Sequence, residues 1–123
     1  MKRILLTLLA LLCVSSLCFA RQAPGPTVSV TIKGEIIDNR NAAFEKPGNL
    51  AKFIEGYNKE YALMPHCAFS GYSIFADGKL TKFDTKSNVK IIEFLKKPNS
   101  KLQVVVVAEK TRNLLSLVSI ENQ

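Results

Sequence analysis

The dipeptide Asp77-Gly78 constrains the fold more than any other feature of this sequence. It stands between two stretches in which apolar and polar residues alternate, and both of its residues tolerate a positive φ. This combination is the strongest short-range signal for a β-hairpin with a two-residue turn. Tyr72 and Ile74 share one face of the first strand, and Phe83 lies on the return strand. Phe75 falls on the opposite face, so we expect both faces of the hairpin to be partly covered.

Three further stretches have the pattern of β-strands: 27–37, 102–108 and 114–120. Gly34 interrupts the first of them, and a glycine inside a strand pattern is typical of a bulge or a sharp bend. A bent first strand is what a small closed barrel needs in order to turn its corner. The run of valines at 104–107 predicts a central strand that is covered on both faces.

Two helices are predicted between these strands. The first covers Leu50–Tyr61, with Asn49 as its N-cap, and follows a polar, turn-rich segment at 38–47. Its apolar side chains recur at helical spacing: Leu50, Phe53, Ile54, Tyr57 and Tyr61. The second helix has Ser87 as its predicted N-cap and ends before Pro98.

The order of these elements predicts a mainly β, α+β fold with two helices. Five strands, a helix between strands 3 and 4, and a helical insertion between strands 1 and 2 are the arrangement of a small OB-like barrel. The alternative is an open α+β sheet with both helices on one face. We prefer the barrel because Gly34 bends the first strand and the connecting helix is short. The predicted domain covers residues 27–121.

The N-terminus predicts export. Lys2 and Arg3 precede an apolar run at 4–14, and Cys18-Phe19-Ala20 has the small residues of a cleavage site. Residues 1–20 therefore form a predicted signal peptide of a bacterial protein, periplasmic or secreted, and 21–26 a flexible segment. A membrane anchor is the alternative, but the apolar run is short for spanning a bilayer. We expect no transmembrane segment after cleavage.

The chain is basic, with a net charge of +7 over the full sequence, and it stays basic when the predicted signal peptide is removed. This charge favours anionic partners such as glycans, lipid headgroups, an envelope component or nucleic acid. Export argues against nucleic acid as the physiological ligand. A solvated basic surface without a partner is the alternative. We expect a monomer.

Met64, His66 and Cys67 form the second candidate site, because all three are copper-type ligands. His66 is the only histidine, and Cys67 the only cysteine outside the signal peptide. We expect Cys67 to be buried against the aromatic face of the Leu50–Tyr61 helix, like a small hydrophobic residue. Adjacent Cys and His rarely form a nucleophile pair. With no phosphate loop or dinucleotide fingerprint, we expect no cofactor and no enzymatic activity.

The stretch 62–72, with Asp77-Gly78-Lys79 and Lys82-Phe83-Asp84, resembles a group of small exported bacterial domains of unknown function. The resemblance spans most of residues 28–120 and rests on a Cys-containing loop before an Asp-Gly hairpin. It implies an OB-type barrel and export, and it carries no activity with it. Family members often have a second Cys near the loop, where this chain has Tyr61 and no second Cys.

The OB arrangement also predicts a binding face. In that fold strands 2 and 3, with the loops between strands 1 and 2 and strands 4 and 5, bind oligonucleotides or oligosaccharides. The corresponding aromatic and basic residues here are Tyr72, Phe75, Lys79, Lys82 and Phe83, with Arg40, Lys46 and Arg112 from the loops. The prediction is a non-enzymatic binding or accessory domain for an anionic or oligosaccharide-type ligand. The alternatives are copper or zinc handling through Met64, His66 and Cys67, and a structural envelope protein.

Overall fold

The computed structural model describes residues 25–46 and 48–123. The predicted signal peptide and most of the predicted flexible segment lie outside the described residues. The fold is a mixed α+β arrangement of five strands and, in the described ranges, five short helices. In chain order these elements are β1 Val28–Asp38, α1 Asn39–Phe44, α2 Leu50–Glu55, α3 Lys59–Ala62, α4 Pro65–Ser70, β2 Tyr72–Ala76, β3 Lys79–Phe83, α5 Thr85–Leu95, β4 Gln103–Thr111 and β5 Leu114–Asn122.

The five strands form one closed sheet with the order β1-β2-β3-β5-β4. β1 pairs with β4 through residues 28–35 and with β2 through 35–38, both antiparallel. The hairpins β2–β3 and β4–β5 are antiparallel, whereas β3 and β5 are parallel and share only two residue pairs. Pairing thus returns to β1, which confirms the predicted five strands and mixed class.

Gly34 lies where β1 passes from β4 to β2. The register of β1 against β4 continues without a shift through this residue, so of the two predicted possibilities, a bulge or a sharp bend, the bulge is wrong. A Cβ atom here would lie 2.5 Å from the carbonyl oxygen of Phe75 and 2.9 Å from Cγ1 of Ile74. Glycine is needed because the backbone of β2 approaches β1 too closely for any side chain.

Both hairpins follow from local sequence. Asp77 and Gly78 have φ values of 50° and 72°, the positive values that a type I′ turn requires. In the β4–β5 hairpin Val107 pairs with Ser119 and Ala108 with Leu117, so Val118 is an extra residue at a bulge. The bulge turns both Leu117 and Ile120 inward, which explains their spacing of three.

The prediction of two helices is wrong. The stretch 50–61 is not continuous, because the chain leaves α2 at Gly56 and re-enters α3 only after Asn58. Asn58 caps α3 by accepting a hydrogen bond from the backbone N–H of Tyr61 at 2.8 Å. The polar segment predicted to be a turn forms α1, since Asp38 caps it through the N–H of Asn41 at 2.9 Å.

The segment before the first hairpin is also helical. Pro65 occupies the first turn of α4, a position that suits its fixed φ and missing N–H. α4 ends at Gly71, which has a φ of 82°.

α5 begins earlier than predicted. Asp84, not Ser87, is its N-cap, and its carboxylate accepts the backbone N–H of Ser87 at 2.8 Å. Ile91, Phe94 and Leu95 pack into the core, as their helical spacing requires.

The main core fills the closed sheet, where Ile36, Ile74, Val104 and Val106 are buried. β4 is central but covered unequally: Val104 and Val106 point inward, while Val105 on its other face is half-buried.

A second apolar cluster lies outside the sheet. Residues 39–71, here called the insertion, place Leu50 and Ile54 against Ile37 and Phe75 on the outer face of β1 and β2. The expectation that both faces of the hairpin are partly covered is therefore confirmed. No helix within residues 25–46 and 48–123 is long and apolar enough to cross a membrane.

Candidate functional site

A basic cavity of about 330 Å³ lies between the β2–β3 hairpin and the β4–β5 hairpin. Three cationic side chains line it: Lys79, Lys110 and Arg112. The other lining residues are neutral, namely Leu80, Thr81 and Asn113. Positive side chains that face one concave surface attract anions more strongly than scattered surface lysines, because their fields add in the cavity.

The fold brings these cations together across the short β3–β5 seam. β5 starts beside β3, where Leu114 pairs with Lys82. The turn that precedes β5 therefore reaches the first residues of β3, and Arg112 meets Lys79 at the cavity. The closed sheet thus joins two hairpins that are well separated in the chain.

Arg112 occupies an unusual backbone conformation. Its φ is 50°, in the left-handed region that non-glycine residues seldom adopt. Asn, Asp and Gly adopt this conformation more readily than Arg. The two-residue turn that joins Thr111 to Leu114 requires a positive φ at its first residue, as the Asp77-Gly78 turn does, so turn geometry accounts for this conformation. The sequence analysis selected Arg112 and Lys79, but it missed Lys110, which stands two residues before Arg112 on β4.

Two residues of the predicted binding face cannot contact a ligand. Tyr72 and Phe83 point into the closed sheet and belong to the main core. The hydroxyl of Tyr72 donates to the carbonyl oxygen of Ala62 at 2.8 Å. Burial, with the nearby charge of Asp38, raises the pKa of Tyr72 to about 12. These two assignments are wrong because the inward face of each strand is the core, not the surface.

The remaining predicted residues do not form one surface. Phe75 lies on the outer face of the sheet, where the insertion partly buries it. Lys82 is exposed on β3 outside the basic cavity, and Lys46 is exposed after α1. Arg40 belongs to α1, where its guanidinium carbon lies 5.9 Å from the ring centroid of Phe44.

The predicted metal ligands face different surroundings. Met64 and His66 are exposed, and the ring of His66 stands edge-on to Tyr61 with centroids 6.4 Å apart. Cys67 is fully buried, and its Sγ accepts a hydrogen bond from Nδ2 of Asn41 at 3.7 Å. Within the described part of the chain no group of three His, Cys, Asp or Glu residues could hold a metal ion.

A buried polar cluster joins the insertion to the end of β1. The carboxylate of Asp38 accepts hydrogen bonds from the hydroxyl of Tyr57 and from Nδ2 of Asn41, the latter at 2.8 Å. Burial raises the pKa of Tyr57, and the hydrogen bond to Asp38 raises it further. These bonds use the carboxylate oxygens to fasten the insertion, so the cluster has a structural role rather than a ligand-binding one.

A second cavity of about 340 Å³ lies in the insertion among Phe53, Tyr57, Asn58 and Tyr61. The rings of Phe53 and Tyr57 have centroids 5.5 Å apart, and those of Tyr57 and Tyr61 5.9 Å. Contacts at these distances stabilise the turn between α2 and α3. The polar side chain of this cavity, Asn58, already serves as a helix cap, so the cavity offers little to a charged ligand.

The basic cavity therefore remains the best-supported candidate site. Three of its six lining residues are cationic, and the other three are neutral. Comparisons of the chain with models of protein families, with curated proteins and with solved structures found no match.

Proposed function

We propose that the chain is an exported, non-enzymatic binding domain whose basic cavity takes an anionic ligand, such as an acidic oligosaccharide or another envelope polyanion. The observation that carries this proposal is the convergence of Lys79, Lys110 and Arg112 on one cavity. The net charge of the chain has the same sign. Export rests on the sequence of residues 1–20.

We also propose that the closed sheet is an OB-like barrel, related to the small exported bacterial domains that the sequence resembles. The strand order, the parallel β3–β5 pair and the position of α5 between β3 and β4 support this assignment. In that fold the loop between strands 4 and 5 contributes to ligand binding, and here this loop is the turn that carries Arg112.

The insertion changes which part of such a barrel is open to a ligand. It packs on the outer face of β1 and β2, where Phe75 lies. The part of the binding face that stays accessible is the one that Lys79 and the β4–β5 turn border. A site shifted toward the β4–β5 turn is consistent with a short charged ligand group rather than a long chain laid across the sheet.

The surroundings of Cys67 argue against a role for this residue as a nucleophile. Thiolates, not thiols, act as nucleophiles, and burial with the charge of Asp38 raises the pKa of this thiol. His66 is exposed beside Tyr61, whereas the sulfur faces Asn41. The thiol therefore lacks an activating base.

The test compares two triple variants of equal charge. In the first, Lys79, Lys110 and Arg112 are changed to Gln; in the control, the exposed Lys52, Lys96 and Lys101 are changed to Gln. Binding to a sulfated heparin oligosaccharide is measured by calorimetry at several salt concentrations. Three lost charge contacts of ~0.5 kcal/mol each predict about tenfold weaker binding for the cavity variant.

We expect the control variant to bind within about twofold of wild type, since its lysines are scattered and screened. Equal weakening in both variants would show that only net charge matters, and the site would be refuted. If wild type does not bind sulfated, carboxylated or phosphorylated polymers, the proposal fails and the structural envelope protein becomes the better interpretation.

A further inference from the structure

Two phenylalanines of the insertion are strongly exposed. Phe69 on α4 has 95% of its surface open to solvent, and Phe44 on α1 has 76%. Aromatic side chains gain more from burial than most others, and apolar surface that is exposed over a contiguous area, unlike single scattered residues, is typical of an interaction site. Neither ring lines the basic cavity or the cavity of the insertion.

The two rings belong to neighbouring helices that are joined to each other. α1 and α4 are held together at Ser70, whose hydroxyl accepts the backbone N–H of Arg40 at 3.1 Å. The carbonyl of the same residue accepts Nδ2 of Asn39 at 3.0 Å. The guanidinium of Arg40 reaches over the ring of Phe44, so a cation accompanies the exposed rings. We call Arg40, Phe44 and Phe69 the aromatic end patch.

Met64 is also exposed, but it lies at the N-cap of α4, at the opposite end of this helix from Phe69. The rings protrude from short helices rather than forming the walls of a groove. Protruding apolar side chains suit a soft medium that closes around them, whereas a rigid protein partner would need a matching pocket for each.

We propose that the aromatic end patch docks the exported protein on an anionic phospholipid surface. The rings of Phe44 and Phe69 enter the boundary between headgroups and acyl chains, and the guanidinium of Arg40 pairs with a lipid phosphate. Charge complementarity selects this occupant, because a basic residue belongs to the patch and the whole chain is positively charged.

The aromatic end patch and the basic cavity have no lining residue in common. Phe69 precedes β2 at Tyr72, whereas the cavity begins at Lys79, beyond the other end of this strand. Phe44 lies closer to the cavity, because Ala42 and Glu45 on either side of it line a pocket with Gly78 and Leu80. The docking proposal requires the proposed export, but it does not require the proposed anionic ligand of the basic cavity. Lipid docking and ligand binding can therefore fail independently.

The absence of tryptophan from the chain gives a direct test. Phe69→Trp makes the only tryptophan of the protein a reporter in the patch, and Val118→Trp places one on β5, where the wild-type side chain is 59% exposed. The exported chain that begins at Arg21 is mixed with vesicles of phosphatidylglycerol and phosphatidylcholine, or of phosphatidylcholine alone.

With anionic vesicles we expect the tryptophan emission of the Phe69→Trp variant to shift to the blue and to be quenched by brominated acyl chains. The Val118→Trp variant should show neither effect. Equal responses of the two reporters, or none from Phe69→Trp, would overturn the proposal, because the patch would not enter the bilayer.

A second measurement removes the rings. Changing Phe44 and Phe69 to Ser should weaken vesicle partitioning at least about tenfold, since each ring loses its transfer out of water. The matched control changes Val89 and Val118, which are 57% and 59% exposed, to Ser and should leave partitioning nearly unchanged. Thermal midpoints of both variants check that folding is intact.

Two outcomes would contradict lipid docking here. Unchanged partitioning of the Phe44→Ser, Phe69→Ser variant would show that charge alone attracts the protein to the vesicles. The protein could instead fail to bind vesicles and form a concentration-dependent dimer that requires both rings. That result would assign the patch to a second copy of the chain.

Discussion

Cys67 has surroundings that oppose its ionisation. The residue is fully buried in α4, and its sulfur faces Asn41 near the carboxylate of Asp38. Burial raises the pKa of the thiol, and the negative charge of Asp38 raises it further. The sulfur therefore remains a neutral thiol at physiological pH and packs as a small apolar group.

We expect the thiol of native Cys67 to react slowly with an aromatic disulfide reagent and rapidly once denaturant unfolds the protein. The control is a Cys67→Ala protein that carries Phe69→Cys, which moves the thiol to a surface position of the same helix. Cys67→Ala itself should cost about 1 kcal/mol of unfolding free energy. The burial would be contradicted if the thiol of the native protein reacted as fast as that of the control, or if the protein formed a dimer that a reductant dissociates.

The predicted burial of Cys67 is confirmed, but the Leu50–Tyr61 helix on which it was expected to pack is not continuous. Phe69, two residues further along α4, is almost completely exposed. In a helix, residues two apart point about 200° apart, so burial of Cys67 turns Phe69 outward. The sequence analysis predicted no helix over residues 65–70, so it could not assign these two orientations.

At the scale of elements, Asp84 determines where α5 begins. Its carboxylate accepts hydrogen bonds from the backbone of Ser87 and from the hydroxyl of Ser116 on β5. Burial alone would raise the pKa of Asp84, but the hydrogen bonds from Ser116 and Ser87 outweigh it and lower the pKa below its ordinary value. The ionised cap thus joins a helix to the sheet.

A lowered pKa in the folded state stabilises the protein above the unfolded pKa of ~3.9, and this stabilisation is lost as the pH falls through the folded value. Asp84→Ala should therefore lower the free energy of unfolding by about 1 kcal/mol at neutral pH. The loss should shrink as the pH falls below the unfolded pKa and the wild-type carboxylate becomes protonated. Urea denaturation at several pH values measures it.

Asp84→Asn is the control, because Asn caps helices nearly as well but cannot titrate. It should be more stable than Asp84→Ala, with a deficit relative to wild type that grows as the pH rises through the folded pKa and is complete above the unfolded value of ~3.9. A deficit that stays constant across the acid range would show that charge has no part in the cap.

The elements that the sequence predicted well are those with local causes. The type I′ turn at Asp77-Gly78 and the strands 102–108 and 114–120 follow from turn chemistry and alternation. The helices of the insertion have four to six residues, too few to show a period or to be stable alone. Their ends depend on caps such as Asp38 and on packing against the sheet, which one sequence does not reveal.

At the scale of the whole molecule, the candidate site forms because the sheet closes on itself. Lys79 and Arg112 were predicted from the OB arrangement, but Lys110 becomes visible as a cavity residue only when β3 and β5 meet. The strand order could be predicted from the sequence, because each hairpin determines that its own two strands pair. The sequence did not indicate which outer face the insertion would cover, since that depends on a separate apolar cluster around Ile37.

The shortness of the parallel seam has a consequence for local unfolding. β3 and β5 share two residue pairs, whereas β1–β4 and β4–β5 share eight each. Segments with few contacts open at a lower free energy than the rest of a domain. We expect the amide protons of Lys82 and Leu115 to exchange with deuterium earlier than those at the centre of β4, as NMR can measure residue by residue.

Opening this seam would move Lys79 away from Arg112, so it would also take the basic cavity apart. A ligand that binds only the closed form must slow the opening by mass action. A sulfated oligosaccharide should therefore protect the seam amides while leaving the exchange of β4 at its centre unchanged. Seam amides that exchange as slowly as those of β4 without ligand would mean that the closed sheet opens only by global unfolding.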